Sequence, residues 1–123
     1  MNFDLNSLLS YSINALQKST SVSRLECPKT DLRRSATACF STDDEPGIFR
    51  TNFSEATKEE LNLLGDWRFN GDIGVGRYET WGDGKWQVGI LYTPVGDRYA
   101  NTDLAPGKKA IVEIIVEKSP YSR

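Results

Sequence analysis

Tyr78-Glu-Thr-Trp-Gly-Asp-Gly-Lys-Trp-Gln-Val-Gly-Ile-Leu-Tyr92 decides how this 123-residue chain is read. Asp83-Gly84 stands between two runs rich in aromatic and β-branched residues, and both residues tolerate the positive φ of a type I′ turn, so the stretch predicts a β-hairpin. With Asp83 and Gly84 as the two loop residues, Gly82 faces Lys85 and Trp81 faces Trp86 in a pair whose side chains approach closely. Counting back from that pair, one face carries Val75, Arg77, Glu79 and Trp81 on the first strand and Trp86, Val88, Ile90 and Tyr92 on the second. The other face carries Tyr78, Thr80, Gln87, Gly89, Leu91 and Thr93.

A third strand returns at Lys109–Glu117, where Ala110, Val112, Ile114 and Val116 make one wholly apolar face while Ile111, Glu113 and Ile115 alternate on a mixed one. One face of such a sheet is buried and the other half wet, which calls for helices on one side only. The expected fold class is α+β: an antiparallel three-stranded meander, about 73–81, 85–93 and 109–117, with two to three helices packed mainly on one face.

The helices are sought upstream. Leu5, Leu8, Leu9, Ser12, Ile13 and Leu16 recur at helical spacing behind Asp4, a suitable N-cap, and predict a helix over about 4–18. Leu32, Ala36, Cys39 and Phe40 fit the helical template while Ala36, Ala38 and Phe40 also fit a strand; the alanines favour a helix near 31–41. Asp43-Asp-Glu-Pro-Gly47 reads as a surface turn, followed by a short extended piece from Ile48 to Phe53. Thr57-Lys-Glu-Glu60 is a capping box, and with Leu61, Leu64 and Gly65 it predicts a short helix near 54–64. The residues from Ser119 onward are expected to fray.

Length and composition suit one domain over residues 1–123, with 38% apolar and 26% charged residues. No apolar run approaches the roughly 18 residues of a transmembrane helix. The 15 basic and 17 acidic residues are interspersed, so no cationic stripe tracks a phosphate backbone and nucleic acid is not an expected partner. Cys27 and Cys39 stand at a separation where a disulfide closes easily and would stabilise by about 3 kcal/mol, placing the protein outside the reducing cytoplasm. Two reduced cysteines with Cys39 buried is the competing reading, and with it a cytoplasmic location.

The chain contains no histidine, which removes the commonest general base, the usual zinc ligand and every Ser-His or Cys-His nucleophile pair. An acid/base enzyme would have to draw on Asp43, Asp44, Glu45, Asp66, Asp72 and Glu79, whose spacing singles out no pair. Gly71-Asp-Ile-Gly-Val-Gly76 lacks the Lys-Ser/Thr ending of a phosphate loop and leads into a strand, so its glycines are expected to let the strand bend or admit a close neighbour. Asp43, Asp44 and Glu45 miss the alternate spacing of a calcium loop. No cofactor or metal is expected.

The positive feature is aromatic. Trp81 and Trp86, with Arg77, Glu79 and Tyr92 on their face, form the candidate ligand-binding site, a flat platform edged by hydrogen-bonding groups suited to carbohydrate, lipid or protein. The bland alternative is that both tryptophans cap the core. The expected function is therefore a non-catalytic binding module rather than an enzyme. A structural subunit that self-associates as a homodimer, pairing the apolar strand Ile111–Val116 with its own copy, is the second reading.

Asp72-Ile-Gly-Val-Gly-Arg-Tyr78 followed by Gly84-Lys-Trp-Gln-Val-Gly-Ile-Leu-Tyr-Thr-Pro94 resembles the closing hairpin of the cysteine-rich secretory, antigen 5 and pathogenesis-related (CAP) superfamily. Leu9–Leu16 and Leu32–Phe40 are similar to its first two helices, and the likeness covers less than half of the chain. It implies a secreted α-β-α sandwich with a binding role, often toward lipids.

Overall fold

The computed structural model describes residues 3–26, 35–71, 73–81, 84–95 and 108–119. Helix α1 spans Leu5–Ser19. Asp4 caps it as the sequence predicts: its carboxylate accepts from the Ser7 N–H at 2.7 Å and the Ser7 hydroxyl accepts from the Asp4 N–H at 2.9 Å. Leu8, Ser12 and Leu16, four residues apart, are its buried line.

Strands β1 (Val22–Leu25) and β2 (Ser35–Thr42) follow, then helix α2 (Pro46–Thr57), strands β3 (Leu61–Leu63) and β4 (Arg68–Asn70), and β5 (Ile73–Thr80), β6 (Trp86–Pro94) and β7 (Ala110–Lys118). The expected meander β5-β6-β7 is present with nearly the expected bounds, but it is the middle of a larger object. The sheet has seven antiparallel strands in the order β1-β2-β7-β6-β5-β3, with β4 also on β5.

Four local expectations are corrected by the structure. The segment proposed as a helix near 31–41 is, over its described part, strand β2, because β7 offers an open edge and β2 pairs along it from Ser35↔Glu117 to Thr42↔Ala110. Ladder bonds and the burial of the whole run Ala38–Thr42, on both faces of the strand, outweigh alanine's helical preference. The extended piece expected at Ile48–Phe53 is helical, since Pro46 is not a stop but the first residue of α2, where its fixed φ suits the helix and its missing N–H costs nothing. Thr57 closes that helix instead of opening another: its hydroxyl donates back to Phe53 O at 2.9 Å, and Leu61 goes on into strand β3. Ser119 is likewise not frayed, being 3% exposed with its N–H on Lys85 O at 2.8 Å.

The hairpin register is the most consequential correction. Glu79 pairs with Gln87 and Tyr78 with Val88, so one further step sets Thr80, not Trp81, opposite Trp86. Five residues, not two, separate β5 from β6. A slip of one residue sends every β5 side chain to the opposite face. Gly84 has a φ of +59°, while Asp83 lies outside the described residues.

The helices lie on the face formed by Ala38, Phe40, Tyr78, Val88, Ile90, Tyr92, Ala110, Val112, Ile114 and Val116, all buried in one core with Leu8, Leu16, Phe49 and Phe53. Each large apolar side chain fully buried there stabilises the fold by about 1.5–3 kcal/mol. The opposite face is mixed, as expected from β7. Glu113 stands on it between Cys39 and Leu91 in register, and burial pushes its carboxyl above the ordinary value. The self-association expected through Ile111–Val116 has no free edge to use, because β7 is paired on one side by β2 and on the other by β6. Cys39 is 1% exposed; Cys27, and with it the expected disulfide, lies outside the described residues.

Candidate functional site

The edge of the sheet beside β5 is built from two short strands with a break between them. β3 pairs with the far end of β5 (Leu61↔Thr80, Leu63↔Tyr78) and β4 with its beginning (Arg68↔Val75, Asn70↔Ile73). Between them Leu64 N–H still reaches Arg77 O at 2.8 Å, then Gly65 turns the chain with a φ of +73°. That turn carries Trp67 inward.

Room for the indole comes from the two glycines of Ile73-Gly-Val-Gly76. A Cβ on Gly76 would stand 2.2 Å from Trp67 Cε2, and one on Gly74 would stand 2.7 Å from Phe69 and 3.3 Å from Trp67. The sequence expectation that these glycines admit a close neighbour is met, and the neighbour is Trp67, 5% exposed. Its Nε1–H donates to the Tyr78 hydroxyl at 2.7 Å, and that hydroxyl is 2.7 Å from Ser54 Oγ on α2. Phe49 and Phe53 close the cluster edge-on, against Trp67 at 6.3 Å and Tyr78 at 5.2 Å.

Above this cluster, between α2 and β3, runs a groove of about 500 Å³ lined in part by Arg50, Ser54, Glu55, Lys58, Asn62, Asp66, Tyr78 and Trp81. Its α2 wall follows from helical periodicity: Phe49, Phe53 and Thr57 point into the core, so Arg50, Ser54 and Lys58, each one residue on, form the adjacent stripe. Charges are matched within it. Arg50 lies 3.8 Å from Asp66, whose Oδ1 also accepts the Trp67 N–H at 2.7 Å, and Lys58 is bonded to Glu55. Tyr78 has its phenol pushed above the ordinary value, chiefly by burial, against the opposing pull of its Ser54 and Trp67 hydrogen bonds, and it stays protonated at neutral pH.

Trp81 lies at the end of this groove, just past β5, and is 55% exposed. Its Nε1–H donates to Lys58 O at 2.8 Å and its backbone N–H to Glu60 O at 3.2 Å, so an exposed ring is nonetheless held in place.

The five residues expected to share a platform do not meet. Trp86 begins β6, half-buried against the core, with its Nε1–H on Phe3 O at 2.7 Å. Tyr92 is 1% exposed and gives its hydroxyl proton to Asp44 O at 2.8 Å. Arg77 and Glu79 stand on the other face of the sheet, where Arg77 lines a second hollow of about 490 Å³ with Leu64, Asp66, Arg68, Val75 and Gln87. Only Trp81 of the five lines the groove; Arg50, Ser54, Lys58, Asn62 and Tyr78 went unnoticed as site residues. The signal that would have found three of them is Pro46 read as a helix start.

Among the described residues no three His, Cys, Asp or Glu side chains gather as a metal site, and no helix is long and apolar enough to cross a membrane. Asp43 is bonded to Lys108, Asp44 accepts the Ser21 N–H and Glu45 is bonded to Lys109, so each acid of that turn has a structural partner. No known protein family, no curated protein and no solved structure matches the chain.

Proposed function

We propose that the protein is a non-catalytic binding module whose ligand lies in the groove between α2 and β3, against Trp81. The observation that carries this reading is the pinned, exposed indole. A tryptophan more than half exposed loses apolar burial, yet Trp81 spends its one polar atom on Lys58 O, which fixes the ring where the groove ends. The carboxylates of the groove, Glu55 and Asp66, are each engaged by a cation, and Tyr78 is held protonated; this suits recognition better than proton transfer.

Self-association is the weaker reading. The strands at the two sheet edges are short, four residues in β1 and three each in β3 and β4, and Arg24 and Arg68 are exposed on them. Short, charged edges resist pairing with a second copy.

The test is a fragment screen read by two-dimensional NMR of the labelled chain. Hits should move the Trp81 indole N–H together with Ser54 and Asn62, and the Trp81→Ala variant should keep its spectrum and lose those hits. Hits that gather instead on Arg68, Arg77 and Gln87 would move the site to the other face of the sheet and refute the proposal. We also infer, from the Cys27 and Cys39 spacing and the CAP-like hairpin, a disulfide and an extracytoplasmic location. Alkylation of freshly purified native protein without reductant should label neither cysteine; two labels in the intact mass would dismiss both inferences.

A further inference from the structure

We propose that the ligand of this groove is a neutral saccharide, one ring of which stacks on Trp81 while its hydroxyl groups meet Ser54, Asn62 and the two ion pairs; this rests on the groove being the binding site. The first support is charge. Arg50 with Asp66 and Lys58 with Glu55 leave the lining without net charge, so it offers no excess of either sign to attract an anion or a cation, whereas a neutral polar molecule needs none.

The second support is the direction of the buried hydrogen bonds. An indole N–H can only donate, so the Tyr78 oxygen accepts from Trp67. The Tyr78 and Ser54 hydroxyls share one further hydrogen bond, 2.7 Å long, in which either can be the donor. That bond uses one of the two hydroxyl protons, so the other is left without an acceptor among the described residues, at the wall of the groove that Ser54 and Tyr78 both line. The groove thus presents a hydroxyl donor, an amide that donates and accepts at Asn62, and carboxylate oxygens that accept, the mixture that a ring of hydroxyl groups requires.

The third support is the shape of the aromatic surface. The Trp81 side chain has no hydrogen-bonding atom left, so its ring offers only apolar contact, and among the described residues it is the one exposed aromatic side chain lining the groove. A sugar ring has one face of C–H groups and a polar rim and needs a single flat wall. A nucleobase, with two apolar faces, is better served by a ring on each side.

The experiment titrates the isotope-labelled full chain, at near-neutral pH, with cellohexaose, mannohexaose, xylohexaose and chitohexaose, and in parallel with adenosine and an acetylated, amidated dipeptide. At least one oligosaccharide should saturably shift the Trp81 indole N–H, Ser54 and Asn62. Trp81→Ala should weaken that binding by about tenfold or more, Trp81→Tyr should restore most of it, and Ser54→Ala should weaken it without altering the fold. If none of the four sugars binds there, the saccharide assignment is overturned. Adenosine or the dipeptide moving the same signals would then preserve the groove as the site, while sugars moving Arg68, Arg77 and Gln87 would remove the groove and the assignment together.

Discussion

Trp67 and Trp81 flank one strand, β5, and have opposite fates. Trp67 precedes it, and the chain turns at Gly65 to lay the indole over Gly74 and Gly76, where it is 5% exposed and hydrogen-bonded to Tyr78. Trp81 follows it, one residue past Thr80, and is 55% exposed although its indole N–H is satisfied. Residue type does not separate the two. What separates them is the room offered by the neighbouring strand, two glycines in one case and the end of the ladder in the other, so one tryptophan is structure and the other is surface.

The largest expected effect is at Trp67. Removing the ring in Trp67→Ala leaves a cavity beneath Phe49 and deprives Tyr78 of a donor, and should cost about 3–5 kcal/mol in denaturant unfolding. A loss no greater than that of an exposed residue would break the contrast. Gly76→Ala approaches the same ring from the other side: its Cβ would fall 2.2 Å from Trp67 Cε2, and the displacement should cost about 1–3 kcal/mol.

Tyr78→Phe comes next. It leaves the Trp67 N–H without its acceptor and the Ser54 hydroxyl without its partner, for a loss of about 1–3 kcal/mol. It also changes the alkaline limb. Because the folded Tyr78 phenol titrates above the ordinary 10.0 of a tyrosine, its contribution to stability is complete below that pH and declines as pH rises through the folded value. Tyr11, raised likewise by burial and by Glu60 and Glu59, adds to the same decline, so Tyr78→Phe should flatten it in part. An unchanged slope between wild type and variant in stability against pH would show that Tyr78 is not buried as described. Trp81→Ala should be the smallest change, within about 1 kcal/mol, since only an exposed ring and one hydrogen bond are lost.

Much of the sheet's middle was legible from the chain, and the reason is local. Alternation in Ala110–Val116 and the apolar run of Val88–Tyr92 fix those strands without reference to anything distant, and Asp4 with Ser7 fixes the start of α1. The remainder depends on partners far along the sequence. Residues 35–42 carry both a helical and a strand pattern, and only the open edge of β7 chooses between them. Three-residue strands such as β3 and β4 have no pattern of their own and exist because β5 has an edge to pair.

The candidate site failed to emerge from the sequence for a narrower reason: loop parity. A two-residue turn puts Trp81 opposite Trp86, whereas five residues between the strands put Thr80 there and push Trp81 out of the sheet. That one step disperses the expected platform, sending Tyr92 and Trp86 to the core face and Arg77 and Glu79 to the other. It also brings Tyr78, assigned by the two-residue turn to the face away from Trp86, beneath the groove. Trp67, by contrast, carried a signal in Gly74 and Gly76, whose missing side chains announce that something bulky lies close by.

Acrylamide quenching of tryptophan fluorescence in the wild type and in Trp81→Phe tests the division of labour along β5 most directly. The readily quenched, red-shifted part of the emission should belong to Trp81 and disappear in the variant, leaving a blue-shifted remainder that acrylamide reaches poorly. Quenching that is the same in both proteins would contradict that division, because Trp81 would then not be the exposed ring and the groove would have lost its aromatic wall.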